Sequence, residues 1–92
     1  MNNVIDFINT NRDRFVDELK NYLAIPSIRA LPQHQPDVRR CAEWTAHEMR
    51  RTGMQNVRLS ETPGNPVVYG DWLGAEGAPT ILFYGHYDVQ PV

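Results

Sequence analysis

The stretch Thr80-Ile81-Leu82-Phe83-Tyr84-Gly85-His86-Tyr87-Asp88-Val89-Gln90-Pro91-Val92 decides how this chain is read. Ile81 to Tyr84 are apolar at consecutive positions. Such a run suits a strand buried on both faces, covered by helices on each side. It points to an α/β fold. The run delivers Gly85, then His86 and Asp88 two positions apart, and Pro91 ends the segment. In open α/β sheets ligands sit at the carboxyl ends of strands, and residues two apart on a strand point to the same side. His86 and Asp88 can therefore converge where such a fold places its chemistry. An imidazole binds a metal through one nitrogen while a carboxylate fixes its other N–H, which sets the tautomer. The same spacing also suits a strand-end His and Asp that merely hydrogen-bond each other or a turn.

Working outward from this segment, residues 3–24 have the pattern of one amphipathic helix. Val4, Ile5, Ile8, Phe15, Val16, Leu19, Tyr22 and Leu23 share a face at helical spacing, which Arg12 interrupts. Asn3 is a candidate cap, and Pro26 disfavours helical geometry in the residue before it. Residues 25–36 form a loop with three prolines, Pro26, Pro32 and Pro36. A second helix over 37–52 buries Val38, Cys41, Ala42, Thr45, Ala46 and Met49, and Gly53 ends it as a C′ glycine would. The period then changes to two. Strands follow at about 56–61 and 66–73, joined by the turn Thr62-Pro63-Gly64-Asn65, and a third at 80–86. Two helices cannot cover both faces of that third strand well, so the pattern predicts part of a larger sheet.

Composition narrows the function. The chain has 92 residues, a net charge of −2 and 41% apolar residues. It suits one small domain or a piece of a larger one, and it offers no basic surface for nucleic acid or anionic membrane. No stretch reaches the ~18 apolar residues of a membrane helix. Charged residues interrupt any apolar run at the N-terminus, so no signal peptide is expected. The single cysteine, Cys41, excludes an internal disulfide. The expectation is a cytoplasmic protein.

The other reactive residues have plainer readings. His47-Glu48 begins like the helical zinc motif His-Glu-x-x-His, but Arg51 stands at the fifth position, so His47 reads as solvated helix surface. His34, between Gln33 and Gln35, reads as an exposed loop residue. Cys41 reads as a small core hydrophobe. Trp44 and Trp72 read as packing, and Arg39, Arg40, Arg50 and Arg51, interleaved with Glu43 and Glu48, as a solvated face.

Phe83 to Val92 resembles the first metal-site motif of the co-catalytic zinc metallopeptidases, the family of glutamate carboxypeptidases, acetylornithine deacetylases, succinyl-diaminopimelate desuccinylases and carnosine-type dipeptidases. Tyr87 and the Gln90-Pro91 ending are most similar to the dipeptidase branch. Leu23-Ala24-Ile25-Pro26-Ser27-Ile28 is similar to the segment after the family's first helix, and Thr62 to Tyr69 to the hairpin before the metal strand. The resemblance implies the N-terminal part of a mixed-sheet catalytic domain. It implies that His86 ligates one of two zinc ions and that Asp88, the one catalytic residue it assigns, clamps the His86 ring. It further implies hydrolysis of the peptide or amide bond of a dipeptide or N-acyl amino acid by a metal-bound water. The bridging carboxylate, the Glu-Glu pair and the distant His that the family also uses have no counterpart in residues 1–92. The 92-residue chain is therefore expected to be inactive by itself. The alternative is a non-catalytic module that homo-oligomerises through unpaired strand edges, with zinc shared between chains.

Overall fold

A computed structural model describes residues 2–92. Its elements are α1 (Asn2–Thr10), α2 (Arg12–Leu23), a 3₁₀ turn (Pro32–His34), α3 (Gln35–Arg51), β1 (Gln55–Ser60) and β2 (Val67–Asp71). The expected helix over 3–24 is thus two helices. At Asn11 the side-chain amide donates to the Phe7 carbonyl at 2.8 Å, beside the backbone N–H that uses the same acceptor at 3.1 Å. Asn11 leaves helical geometry, with φ −105° and ψ 14°, because a short polar side chain offers the backbone a competing local bond. Asn3 lies inside α1 and does not cap it.

The centre of the molecule is α3 laid across the β1–β2 hairpin. Val38, Cys41, Ala42 and Ala46 are fully buried, and Thr45 and Met49 are half-buried. The expected face of this helix is the one that packs. Its end is a Schellman motif: the Gly53 N–H reaches the Arg50 carbonyl and the Met54 N–H the Met49 carbonyl, both at 3.0 Å, with Gly53 at φ 95°. β1 and β2 pair antiparallel, Arg58 opposite Tyr69, Leu59 opposite Val68 and Ser60 opposite Val67. An irregularity lies between Gln55 and Arg58, where Asn56 takes φ 54°. Thr62 closes the connecting turn: its hydroxyl accepts from the Gly64 N–H and donates to the Asn65 carbonyl. Gly70 lets α3 approach β2, since a Cβ there would lie 2.7 Å from the Met49 methyl and 3.1 Å from a Val57 methyl.

Two links tie α2 to α3. Tyr22 packs against Trp44 with ring centroids 5.3 Å apart, and Arg51 bridges Glu18 at 2.9 Å while also pairing with Glu48 on its own helix.

The third strand is not formed. Residues 80–88 carry no strand assignment, and Ile81, Leu82, Phe83 and Tyr84 are 72–89% exposed instead of buried on both faces. A strand holds its shape through a neighbour that pairs its backbone, and β1 and β2 pair only with each other. What survives of the expected strand is one parallel bridge, Ile28 to Val89. Among the described residues the architecture is therefore a small α/β unit of three α-helices and a two-stranded sheet, not two helices and three strands.

Candidate functional site

His86 and Asp88 meet although no strand carries them. His86 Nδ1 lies 3.1 Å from Asp88 Oδ1. The imidazole is 71% exposed and the carboxylate 31%. Tyr84 places its ring edge-on to the imidazole, centroids 5.7 Å apart. With Nδ1 engaged by the carboxylate, Nε2 is the nitrogen left for a ligand. This is the tautomer that a carboxylate-held metal-binding histidine uses.

The backbone around the pair is held from three elements. The Tyr22 hydroxyl, from α2, donates to the His86 carbonyl at 3.3 Å. Ser27 Oγ, from the loop after α2, donates to the Tyr87 carbonyl at 2.8 Å. Cys41 Sγ, from α3, lies 3.5 Å from that same carbonyl. The Tyr87 hydroxyl in turn donates to the Pro66 carbonyl just before β2. These donors stay protonated. Burial raises the Tyr22 phenol above its ordinary pKa, and the charges of Cys41 and Asp88 add to the effect. Burial likewise raises Tyr87 and Cys41; for Cys41 it outweighs the opposing hydrogen bonds of Ser27 and Thr45.

The pair opens onto a cleft of about 980 Å³ between α2, α3 and the hairpin, with Leu19, Tyr22, Trp44, Val67 and Phe83 among its walls. Arg29 and Asp88 border both this cleft and a smaller one.

Two other sequence readings meet their structure here. His34 is not an exposed loop residue: it is half-buried at the end of the 3₁₀ turn, with Nδ1 2.8 Å from Asp37 Oδ2. His47 is exposed, as a solvated helix surface requires. Among the described residues no three His, Cys, Asp or Glu side chains gather where they could hold a metal ion. The polar work of Ser27, Cys41 and Tyr22 went unread in the sequence, because helical spacing assigns the last two to apolar faces. The one available signal was a serine directly after Pro26 in a segment that the fold buries.

No family model matches the chain, and no solved structure matches it. Curated proteins do. The Cys-Gly metallodipeptidase of Candida albicans is 28% identical over 96% of this chain and 21% of its own length. The cysteinylglycine-S-conjugate dipeptidase of Corynebacterium striatum is 30% identical over 88% of the chain and 18% of its own. The Beta-Ala-His dipeptidase of Homo sapiens is 29% identical over 96% and 20%. The chain is similar to dipeptidases over nearly all of its own length. The resemblance to the dipeptidase branch therefore stands, and it covers nearly the whole chain. The chain spans about a fifth of the length of these dipeptidase relatives.

A metal centre is what the name of the first relative implies, and the residues here fit it in part. A histidine whose Nδ1 is held by a carboxylate and whose other nitrogen faces open space suits one coordination position. Zinc sites in proteins take three or four protein ligands, and one histidine of this kind falls well short of that number. No helix among the described residues is long and apolar enough to cross a membrane.

Proposed function

We propose that residues 1–92 form the part of a dipeptidase-type zinc hydrolase that supplies one metal ligand and the clamp that orients it. The observation that carries this reading is the 3.1 Å contact between His86 Nδ1 and Asp88 Oδ1, in a chain whose relatives are dipeptidases. His86 would offer Nε2 to one of two zinc ions. Asp88 would keep the proton on Nδ1 and so keep Nε2 free. When bound, the zinc would supply Lewis-acid polarisation of the scissile carbonyl and a nucleophile available at neutral pH. The substrate class we assign is a dipeptide or N-acyl amino acid, and the setting a cytoplasmic one. One ligand neither fixes an ion nor positions a general base, so the 92-residue chain is inactive in this reading.

The test is a zinc titration of the chain followed at the ¹⁵N-labelled histidine rings, alongside a dipeptide hydrolysis assay. Weak binding seen first at His86 Nε2, lost in His86→Ala, with no hydrolysis, supports the proposal. Zinc that settles on the His34–Asp37 pair and leaves His86 unmoved defeats the ligand assignment. Hydrolysis by the 92-residue chain, abolished in His86→Ala, defeats the inactivity.

A second reading is self-association. Residues 81–84 lie exposed and make no backbone–backbone hydrogen bond, and unpaired backbone of this kind recruits other strands. Zinc shared between chains would be one form of it. A chain that remains a monodisperse monomer in light scattering at high concentration, with and without zinc, removes this reading.

A further inference from the structure

Ser27 is 1% exposed, the one buried polar side chain among the described residues. It lies some sixty positions from the histidine pair in sequence, yet two of its hydrogen bonds straddle Asp88. Its Oγ donates to the Tyr87 carbonyl at 2.8 Å, and its own carbonyl accepts the Val89 N–H at 2.9 Å. The peptide groups on either side of Asp88 are thus tied to a single residue. These contacts belong to the parallel bridge between Ile28 and Val89. Among the described residues of 80–92, Val89 has the one backbone N–H with a backbone acceptor. Residues 80–85 before the pair are exposed and make no backbone–backbone hydrogen bond, and the His86 carbonyl has the longer 3.3 Å bond from the Tyr22 hydroxyl, so the shorter bonds to the pair's backbone come from Ser27.

We infer that Ser27 is a positioning residue for the His86–Asp88 pair. By fixing the backbone before and after Asp88, it sets where the carboxylate starts. The carboxylate then reaches Nδ1 of His86 and holds the proton there. Without the Oγ–H donor, the Tyr87 carbonyl keeps only the weaker thiol of Cys41, and Asp88 is released on one side. The imidazole then returns to the tautomer mixture of an unconstrained histidine. The purpose of this arrangement rests on the metal-ligand reading above; the positioning itself does not.

The experiment uses the metal-free chain at a pH where the imidazole is neutral. Ring ¹⁵N spectra report the His86 tautomer, and amide hydrogen exchange reports the Val89 N–H. In the wild type, His86 should carry its proton on Nδ1, and Val89 should exchange more slowly than its neighbour Gln90. In Ser27→Ala both signatures should fade while the α3 amides stay protected. Zinc affinity at His86 should fall by about 10–100-fold, the usual cost of losing a partner that orients a ligand. A Val89 amide that exchanges as fast as Gln90 in the wild type overturns the inference, even if Ser27→Ala fails to fold. An unchanged His86 tautomer in a folded Ser27→Ala chain overturns it as well. The two readings fail separately. A tautomer shift in Ser27→Ala without zinc at His86 in either chain supports the positioning and defeats the metal assignment. Equal zinc binding and equal tautomer in both chains does the reverse.

Discussion

On α3 the apolar residues Val38, Cys41, Ala42 and Ala46 are all buried, whereas on α1 and in Ile81–Tyr84 every apolar residue is exposed. Both regions carry patterns that predict burial: helical spacing for α1, an unbroken apolar run for 81–84. The difference lies in what stands opposite. α3 faces a hairpin that satisfies its own backbone through the β1–β2 pairing and offers Val57, Leu59 and Val68 as partners. Among the described residues α1 and the 81–84 run have no such layer opposite them: Phe7 meets only the Phe15 ring, 6.0 Å away, Tyr84 only the edge of His86, and their apolar side chains stay exposed. The radius of gyration, 15.4 Å, records the same split, since a compact chain of this length would have about 12 Å. A hydrophobic pattern states which face wants cover; it does not supply the cover.

The sharpest way to break this contrast is to place a charge in each region. Val38 is 0% exposed, so Val38→Asp buries a carboxylate without a partner. A loss of about 3–5 kcal/mol is expected, seen in urea denaturation as the disappearance of a cooperative transition. Leu82 is 89% exposed, and Leu82→Asp should change stability by no more than about 0.5 kcal/mol. A large loss at Leu82 would mean that the 81–84 run is packed in solution, and the contrast would fall.

A smaller effect probes how tightly the packed half is built. In Gly70→Ala the new methyl meets the end of Met49 and a Val57 methyl. Overpacking of this kind costs about 1–3 kcal/mol. The lower end is expected, because the Met49 terminus can swing aside while Val57, branched at Cβ, cannot. Thermal melts of Gly70→Ala beside Gly64→Ala make the comparison. At Gly64 a Cβ meets only the Thr62 hydroxyl at 3.8 Å, and little change is expected.

The same contrast explains what was legible in the sequence. α3, its buried face, its glycine terminator and both hairpin strands follow from local chemistry: spacing, a left-handed Gly53 and a Thr-Pro-Gly-Asn turn. The break at Asn11 was hidden because it rests on one amide competing for one carbonyl inside an otherwise helical pattern. The third strand does not form, because a strand depends on its neighbours and an apolar run does not say whether they are present. The His86–Asp88 contact was readable from spacing two, but for a reason that has shifted. The pair converges without a strand, on backbone held by Ser27, Tyr22 and Cys41, through hydrogen bonds that span up to 64 positions in sequence. Such long-range hydrogen bonding leaves no periodic trace.

The smallest expected effect lies at the seam of the packed half, where Arg39 on α3 grips Glu61 just after β1. One guanidinium nitrogen donates to each carboxylate oxygen, at 3.0 and 2.8 Å. These bonds, and then the guanidinium charge, hold the Glu61 carboxyl below its ordinary value of 4.5. A carboxyl whose pKa is depressed on folding adds stability above the unfolded value and loses it as pH falls through the folded one. Wild type should therefore melt slightly above Glu61→Gln at neutral pH, and the two should converge once the solution is well below that ordinary value. Both groups face solvent, so high salt should also shrink the gap. A gap that persists in acid and in salt would show that Glu61 ties α3 to the hairpin by packing and not by charge. The seam would then belong to the core, and the boundary between the packed and the unpartnered halves would move outward by one turn.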